Sequence, residues 1–291
     1  MMRAQASASL GLLFLLTVPL WGQEKVPEVR VETDLVFGKG GDKELKLDLA
    51  MPKEGDGPYP AVIYLHGGAW RGGSRKEFSK SIEALAARGY VAVTVDYRLV
   101  PDATSTGQIA DCKAAVRWLR AEAKKYKIDG DRIGVVGFSA GGHLACMLGT
   151  TNKDDGLEGS SGNADQSSRV QAVVSFFGPT DFTTRTWDDE IEKAILAPFM
   201  GGSFADHPEL YKKASPICYV RKDAPPFLFF HGTEDKLVQI RQSRVMVDKL
   251  KEAGVPAELV TVEGEGHGWR GEKLRQSIEK TFQFFDERLR K

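Results

Sequence analysis

The strongest chemical signal in the sequence comes from a serine, an acid and a histidine, in that order along the chain. Ser139 stands in Gly137-Phe138-Ser139-Ala140-Gly141-Gly142, directly after the apolar run Ile133 to Val136. Glycines on both sides allow a strand to turn sharply into a helix and lift the serine Oγ clear of the sheet. Glu234 and Asp235 end His231-Gly232-Thr233-Glu234-Asp235, after the run Phe227 to Phe230. His267 lies among glycines in Gly264-Glu265-Gly266-His267-Gly268-Trp269. A histidine there can reach a serine as general base, and an acid can orient its imidazole. The chemistry of such a set is attack by an activated hydroxyl on an acyl carbon.

A fourth stretch, His66-Gly67-Gly68-Ala69-Trp70, follows the run Ala61 to Leu65. Paired glycines let backbone N–H groups approach a ligand closely. The N–H groups of Gly68, Ala69 and Ala140 are the candidate oxyanion donors. His66 is expected to brace this loop. His143 lies one helical turn after Ser139 and is expected to pack beneath the turn rather than serve as the base. Taken singly, these motifs have plain readings: a small-residue helix start, a solvated turn acid, an exposed loop histidine. Their weight comes from their common position at strand ends and from their order.

The elements that must position them alternate. Val31 to Phe37 and Leu45 to Ala50 read as an antiparallel pair separated by a glycine-rich turn. Six short apolar runs follow: 61–65, 91–95, 133–138, 172–177, 227–230 and 257–262. Strands buried on both faces look like this. Helical periodicity fills 76–88, 108–127, 142–149, 240–253 and 272–289. The expected fold class is α/β: a mostly parallel sheet of about eight strands with helices on both faces. The segment 150–169, rich in Gly, Ser, Asn and Asp, is expected to be a loop. A small helical excursion around 183–214 is expected over one sheet edge. In such sheets ligands bind beyond the carboxyl ends of the strands, where the four motifs stand.

Composition narrows the partners. Forty basic residues balance forty acidic ones in 291. That leaves no electrostatic footprint for nucleic acid or an anionic membrane. Residues 1–22 carry one arginine and the apolar run Leu10 to Leu20. They read as a signal peptide with Gly22/Gln23 as the cut, which implies a secreted or periplasmic protein with no stable membrane insertion afterwards. Residues 23–291 then form a single domain. Only Cys112, Cys146 and Cys218 are present. The first two fall in apolar helical patterns and read as buried thiols, and the spacings do not resemble a zinc site.

With these pieces in view, the sequence resembles the α/β-hydrolase superfamily, specifically its carboxylesterase branch of hormone-sensitive-lipase-like and feruloyl/acetyl-xylan-esterase-like (BD-FAE-like) enzymes. The matching pieces are HGGAW at 66–70, Asp96-Tyr97-Arg98-Leu99, DCKAAVRWLR at 111–120, GFSAGGHLA at 137–145, FFGPTDF at 176–182, HGTEDKLV at 231–238 and GEGHGW at 264–269. The resemblance implies the triad Ser139, Asp235 and His267, selecting Asp235 over Glu234. It implies oxyanion donors at Gly68, Ala69 and Ala140, with Ala69 where many relatives have a third glycine. It implies a structural role for Asp96 and Arg98, as a charged pair bracing a loop. The reaction implied is hydrolysis of a small-molecule or oligosaccharide ester through an acyl-enzyme, with no metal or organic cofactor. Short acyl, acetyl or feruloyl esters of plant polysaccharide are the expected substrates. Trp70, Phe138, Trp187, Phe199 and Trp269 are the candidate walls of the substrate pocket. A serine exopeptidase and a non-catalytic binding protein are the competing readings.

Overall fold

The computed structural model describes residues 27–184 and 187–290. The proposed signal peptide therefore lies outside the described residues. Eight strands form one sheet: β1 (Val29–Gly40), β2 (Lys43–Pro52), β3 (Tyr59–Leu65), β4 (Val91–Val95), β5 (Ile128–Phe138), β6 (Ala172–Phe176), β7 (Phe227–Gly232) and β8 (Ala257–Val262). Their order is β1-β2-β4-β3-β5-β6-β7-β8. The first two pairings, β1 with β2 and β2 with β4, are antiparallel, and the rest are parallel.

The α-helices of the described residues are α1 (Ser79–Ala87), α2 (Ser105–Ala121), α3 (Ala123–Tyr126), α4 (Ala140–Thr150), α5 (Asp189–Ile191), α6 (Ala197–Met200), α7 (Pro208–Lys213), α8 (Arg241–Glu252) and α9 (Gly271–Leu289). Alternate residues of each strand feed two separate cores. Ala61, Ile63 and Leu65 pack with Ile109 and Val116 of α2, Leu144 of α4 and Met246 of α8. Val62 and Tyr64 pack instead with Leu85 of α1 and Phe285 of α9. Covering both faces removes β4, β6 and β7 from water, which is why they appear as unbroken apolar runs.

Register decides where the chemistry can gather. Leu65 of β3 lies beside Gly137 of β5, Phe138 beside Phe176 of β6, Phe176 beside Phe230 of β7, and Gly232 beside Val262 of β8. The carboxyl ends of five strands are thus level, and four of them, β3, β5, β7 and β8, continue into the polar loops.

Two expectations are corrected. The excursion at 189–213 does not cap a sheet edge. Arg71, just after central β3, donates to the Ala194 carbonyl at 3.0 Å, and Trp70 stacks on Phe199 at 4.2 Å. The segment leaves β6 and reaches back over the middle of the sheet, because its aromatic residues find apolar partners there. Asp96 and Arg98 are structural, but not as a pair with each other. Asp96 binds Arg75, and Arg98 forks onto Asp111 at 2.7 and 2.8 Å.

The segment 150–169 is a loop with one short 3-10 turn, Lys153–Asp155. Lys113 and Arg117, four residues apart on α2 and fully buried, both bind Glu158 at 2.8 Å. Arg117 also donates to the Gly162 carbonyl at 2.9 Å. Buried cations need such partners, so the loop is pinned although its sequence looks flexible. All three cysteines are free: Cys112 and Cys146 are buried and Cys218 is exposed. Among the described residues no helix is long and apolar enough to cross a membrane.

Candidate active site

Ser139 sits between β5 and α4 with φ 54° and ψ −116°. A serine resists this backbone region, and the surroundings must impose it. Glycines make the turn possible by close approach. A Cβ on Gly137 would lie 2.0 Å from the Gly141 carbonyl oxygen, and one on Gly141 would lie 2.2 Å from that of Leu65. The Ser139 N–H donates to Phe176 at 2.8 Å, and the His143 N–H donates to the Ser139 carbonyl at 3.0 Å. Strand β6 and helix α4 therefore hold the serine from two sides.

The three polar residues meet. His267 Nε2 is 2.8 Å from Ser139 Oγ, and His267 Nδ1 is 2.7 Å from Asp235 Oδ2. Asp235 has no exposed side-chain surface, whereas His267 keeps 21% of its own. The Asp235 Oδ1 accepts from the N–H groups of Leu237 and Val238, both at 2.9 Å. Burial alone would raise this carboxyl. Hydrogen bonds from His231, His267 and Val238 outweigh burial and hold it well below the usual carboxylate range. Glu234 plays no part in this contact. His231 lies behind Asp235, with Nε2 2.7 Å from the Val238 carbonyl and Nδ1 2.7 Å from Ser243 Oγ.

The loop after β3 turns back on itself, with the N–H groups of Arg71 and Gly72 donating to the Gly68 carbonyl at 3.1 and 3.0 Å. Gly68, Ala69 and Trp70 all have positive φ, at 105°, 51° and 59°. Gly67 lies against the serine turn, where an added Cβ would be 3.0 Å from the Phe138 carbonyl oxygen. Gly67 thus stands beside the serine, and Gly68 and Ala69 follow it in the same loop. Ala140 opens α4, and the first N–H groups of a helix have no acceptor within it. His66 braces the loop as expected: Nδ1 is 2.8 Å from the Gly67 carbonyl, and the ring stacks on Tyr97 at 4.3 Å.

His143 is not a base for Ser139. Burial drives its imidazole down to about 4, and the bond to the Ala214 carbonyl only partly opposes this. The unfolded chain binds a proton near pH 6.5 that the folded chain refuses. Stability is therefore expected to fall as pH drops from about 6.5 to 4, by about 3 kcal/mol from this residue. Urea midpoints at pH 7 and 4.5 test it: His143→Gln should show a smaller acid loss than the natural chain. An equal loss in both chains would show that the residue does not contribute.

The aromatic assignments divide. Phe199, Trp70 and Trp269 are 0%, 4% and 7% exposed, so they are core and not pocket walls. Trp269 donates to Ser277 Oγ at 3.1 Å on the α9 side of the sheet. Residue type said these rings were large and apolar, but not which way they face. Phe138 is half-buried in a stack between Phe78 and Phe176, at 4.9 and 4.4 Å. Trp187 is half-buried, stacks on Phe182 at 5.6 Å, and with Glu192, Phe204 and Tyr211 lines a cavity of about 300 Å³. One ring beside the site was missed. Phe177, with φ 42°, directly follows β6 and lies edge-on to His267 at 4.7 Å. Its position at a strand end, shared with the other motifs, was the available signal. No group of three or more metal-binding side chains occurs among the described residues.

A family model, BD-FAE, matches residues 47–250. The chain belongs to the BD-FAE family. That match covers β2 through α8 and includes Ser139 and Asp235. Esterase LipC of Mycobacterium tuberculosis is 34% identical over 73% of this chain and 53% of its own length. This BD-FAE chain spans about half the length of the curated relatives it matches first. A solved truncated carbohydrate esterase from gut microbiota is 30% identical, with a TM-score of 0.78, covering 92% of this chain and 99% of that one. Esterase 2 of Thermogutta terrifontis, phosphonylated by sarin, is 29% identical with a TM-score of 0.77 over 90% of this chain and 96% of that one. The α/β-hydrolase fold anticipated from the strand pattern is thus the fold of esterases of known structure.

Proposed function

We propose that this BD-FAE chain is a secreted or periplasmic serine carboxylic-ester hydrolase acting on short acyl, acetyl or feruloyl, esters of oligosaccharides. The observation that carries the reading is the continuous chain Ser139 Oγ–His267 Nε2 at 2.8 Å and His267 Nδ1–Asp235 Oδ2 at 2.7 Å. Asp235 Oδ2 accepts a hydrogen bond from the Nδ1–H, which keeps the proton on Nδ1 and leaves the Nε2 lone pair facing the serine hydroxyl. His267 takes the hydroxyl proton as Ser139 Oγ bonds to the ester carbonyl carbon. The carbonyl oxygen becomes an oxyanion, received by the N–H groups of Gly68, Ala69 and Ala140. The tetrahedral species collapses as His267 returns the proton to the departing alcohol. Water then repeats both steps on the acyl-enzyme and frees the acid.

The carbohydrate substrate rests on the likeness to the gut-microbiota carbohydrate esterase; secretion rests on the sequence of residues 1–22. A fluorophosphonate probe followed by an ester panel tests both the chemistry and the substrate class. Labelling at Ser139 with release of acetate or ferulate from acylated xylan fragments is the expected result. Labelling with turnover only of lipophilic esters would remove the carbohydrate assignment. No labelling and no turnover would remove the hydrolase.

A further inference from the structure

Behind the candidate oxyanion loop lies a hydrogen-bonded relay that neither the three catalytic residues nor the sheet requires. Trp70 Nε1 is 3.2 Å from His143 Nδ1, and His143 Nε2 is 2.7 Å from the Ala214 carbonyl oxygen. A carbonyl can only accept, so Nε2 carries the proton. Nδ1 is then a bare lone pair and accepts from the indole N–H. One neutral tautomer satisfies both partners, and the protonated ring would set two N–H groups against each other at Trp70. The groups facing the imidazole are Trp70 after β3, Phe182 after β6, Phe199 of α6 and the Ala214 carbonyl after α7. The three rings meet it edge-on at 5.4, 5.3 and 5.6 Å, and none of these groups is charged.

The relay joins three parts of the site. His143 lies on α4, and its backbone N–H holds the Ser139 carbonyl at 3.0 Å. Trp70 belongs to the loop that carries Gly68 and Ala69. Ala214 closes the 189–213 segment, where it follows α7. Ala69 and Trp70 occupy a left-handed backbone region that residues with side chains resist. Such strain persists only where the surroundings over-determine it. At Trp70 they do: the indole is bonded to His143 and stacked on Phe199. The Trp70 carbonyl also accepts from Val100 N–H at 2.9 Å and Gln108 Nε2 at 3.0 Å.

We infer that His143 is a positioning residue: through Trp70 it holds the Gly68 and Ala69 N–H groups in place beside Ser139, and through Ala214 it ties that placement to the segment covering the sheet. The inference rests on the esterase reading, but one of its measurements does not. His143→Phe keeps an aromatic ring and deletes both hydrogen bonds. His143→Gln offers an amide oxygen to Trp70 and an amide N–H to Ala214.

The kcat for p-nitrophenyl acetate is expected to fall about 10- to 100-fold in His143→Phe with KM within about twofold, and His143→Gln should recover most of the loss. Unchanged kcat in folded His143→Phe, or equal losses in both variants, would overturn the role. The Trp70 indole N–H resonance is the second readout. In the natural chain it should shift as the solution is acidified toward pH 4, where the imidazole charges. A resonance indifferent to pH through that range would overturn the relay even where His143→Phe does not fold. A natural chain inactive on every ester would instead overturn the proposed function and leave the resonance test standing.

Discussion

Ser139→Ala is expected to lower kcat on a short p-nitrophenyl ester by on the order of 10³-fold or more, with the fold intact. Among the described residues the Oγ makes one side-chain hydrogen bond, with His267 Nε2, so its loss removes the nucleophile and little else. The strained turn does not depend on the hydroxyl. Gly137, Gly141 and the bond from Ser139 N–H to Phe176 impose it, and alanine meets the same backbone demands as serine. Residual turnover would come from the oxyanion donors acting on attack by water. Thermal melting of the variant should match the natural chain, and fluorophosphonate labelling should vanish. Near-normal kcat in this variant would mean that another group attacks the ester.

Asp235→Asn should be nearly as severe, on the order of 10³- to 10⁴-fold in kcat near pH 7, and for a different reason. Oδ1 of Asp235 accepts two backbone N–H groups, from Leu237 and Val238. An asparagine must keep its oxygen on those donors, since its own N–H₂ there would oppose them. The amide nitrogen then faces His267 Nδ1 and donates to it. That forces the proton onto Nε2, which points at Ser139 Oγ and can no longer accept from it. KM should change little, because the amide occupies the same space. Glu234→Gln is the control, since Glu234 does not contact the imidazole, and it should leave kcat within about twofold. A strong loss in the control with a mild one in Asp235→Asn would reverse the choice of acid. Because its hydrogen bonds hold Asp235 well below the usual carboxylate range, Asp235 stays ionised through mildly acid solution. Loss of activity there should therefore not come from protonation of this acid.

The parts of the fold that could be read directly from sequence are those where one local property decides the outcome. The strand 91–95 appears unchanged as β4, and 61–65 appears as β3 with two more residues at its start, because burial on both faces leaves little other composition. β5 begins at Ile128, five residues before the expected start, since Asp129 to Arg132 look like a polar turn. Ser139 and His267 were legible from their shared place after strand ends and from their order along the chain, whereas Asp235 was separated from Glu234 only by the family resemblance. The path of the 189–213 segment was not. Arg71 and Ala194 are 123 residues apart, and no periodicity in either stretch records their contact. The burial of Trp70, Phe199 and Trp269 was hidden for a related reason. Trp70 and Phe199 are apolar whether they face substrate or each other, and only the assembled sheet chooses. Phe177 escaped notice because nothing in its neighbours requires a left-handed backbone.

The levelled strand ends have a consequence for folding kinetics. Ser139 and His267 are separated by 128 positions, and Asp235 and His267 by 32. They meet only when β5, β6, β7 and β8 lie side by side. β8 is an edge strand, and of its six residues only Val262 is fully buried. Parallel pairings between distant segments form slowly, because the chain loses loop entropy before contacts repay it. Recovery of turnover after dilution from denaturant should therefore trail the recovery of helical circular dichroism. Under the proposed function, turnover would act as a clock for the moment the last strand docks.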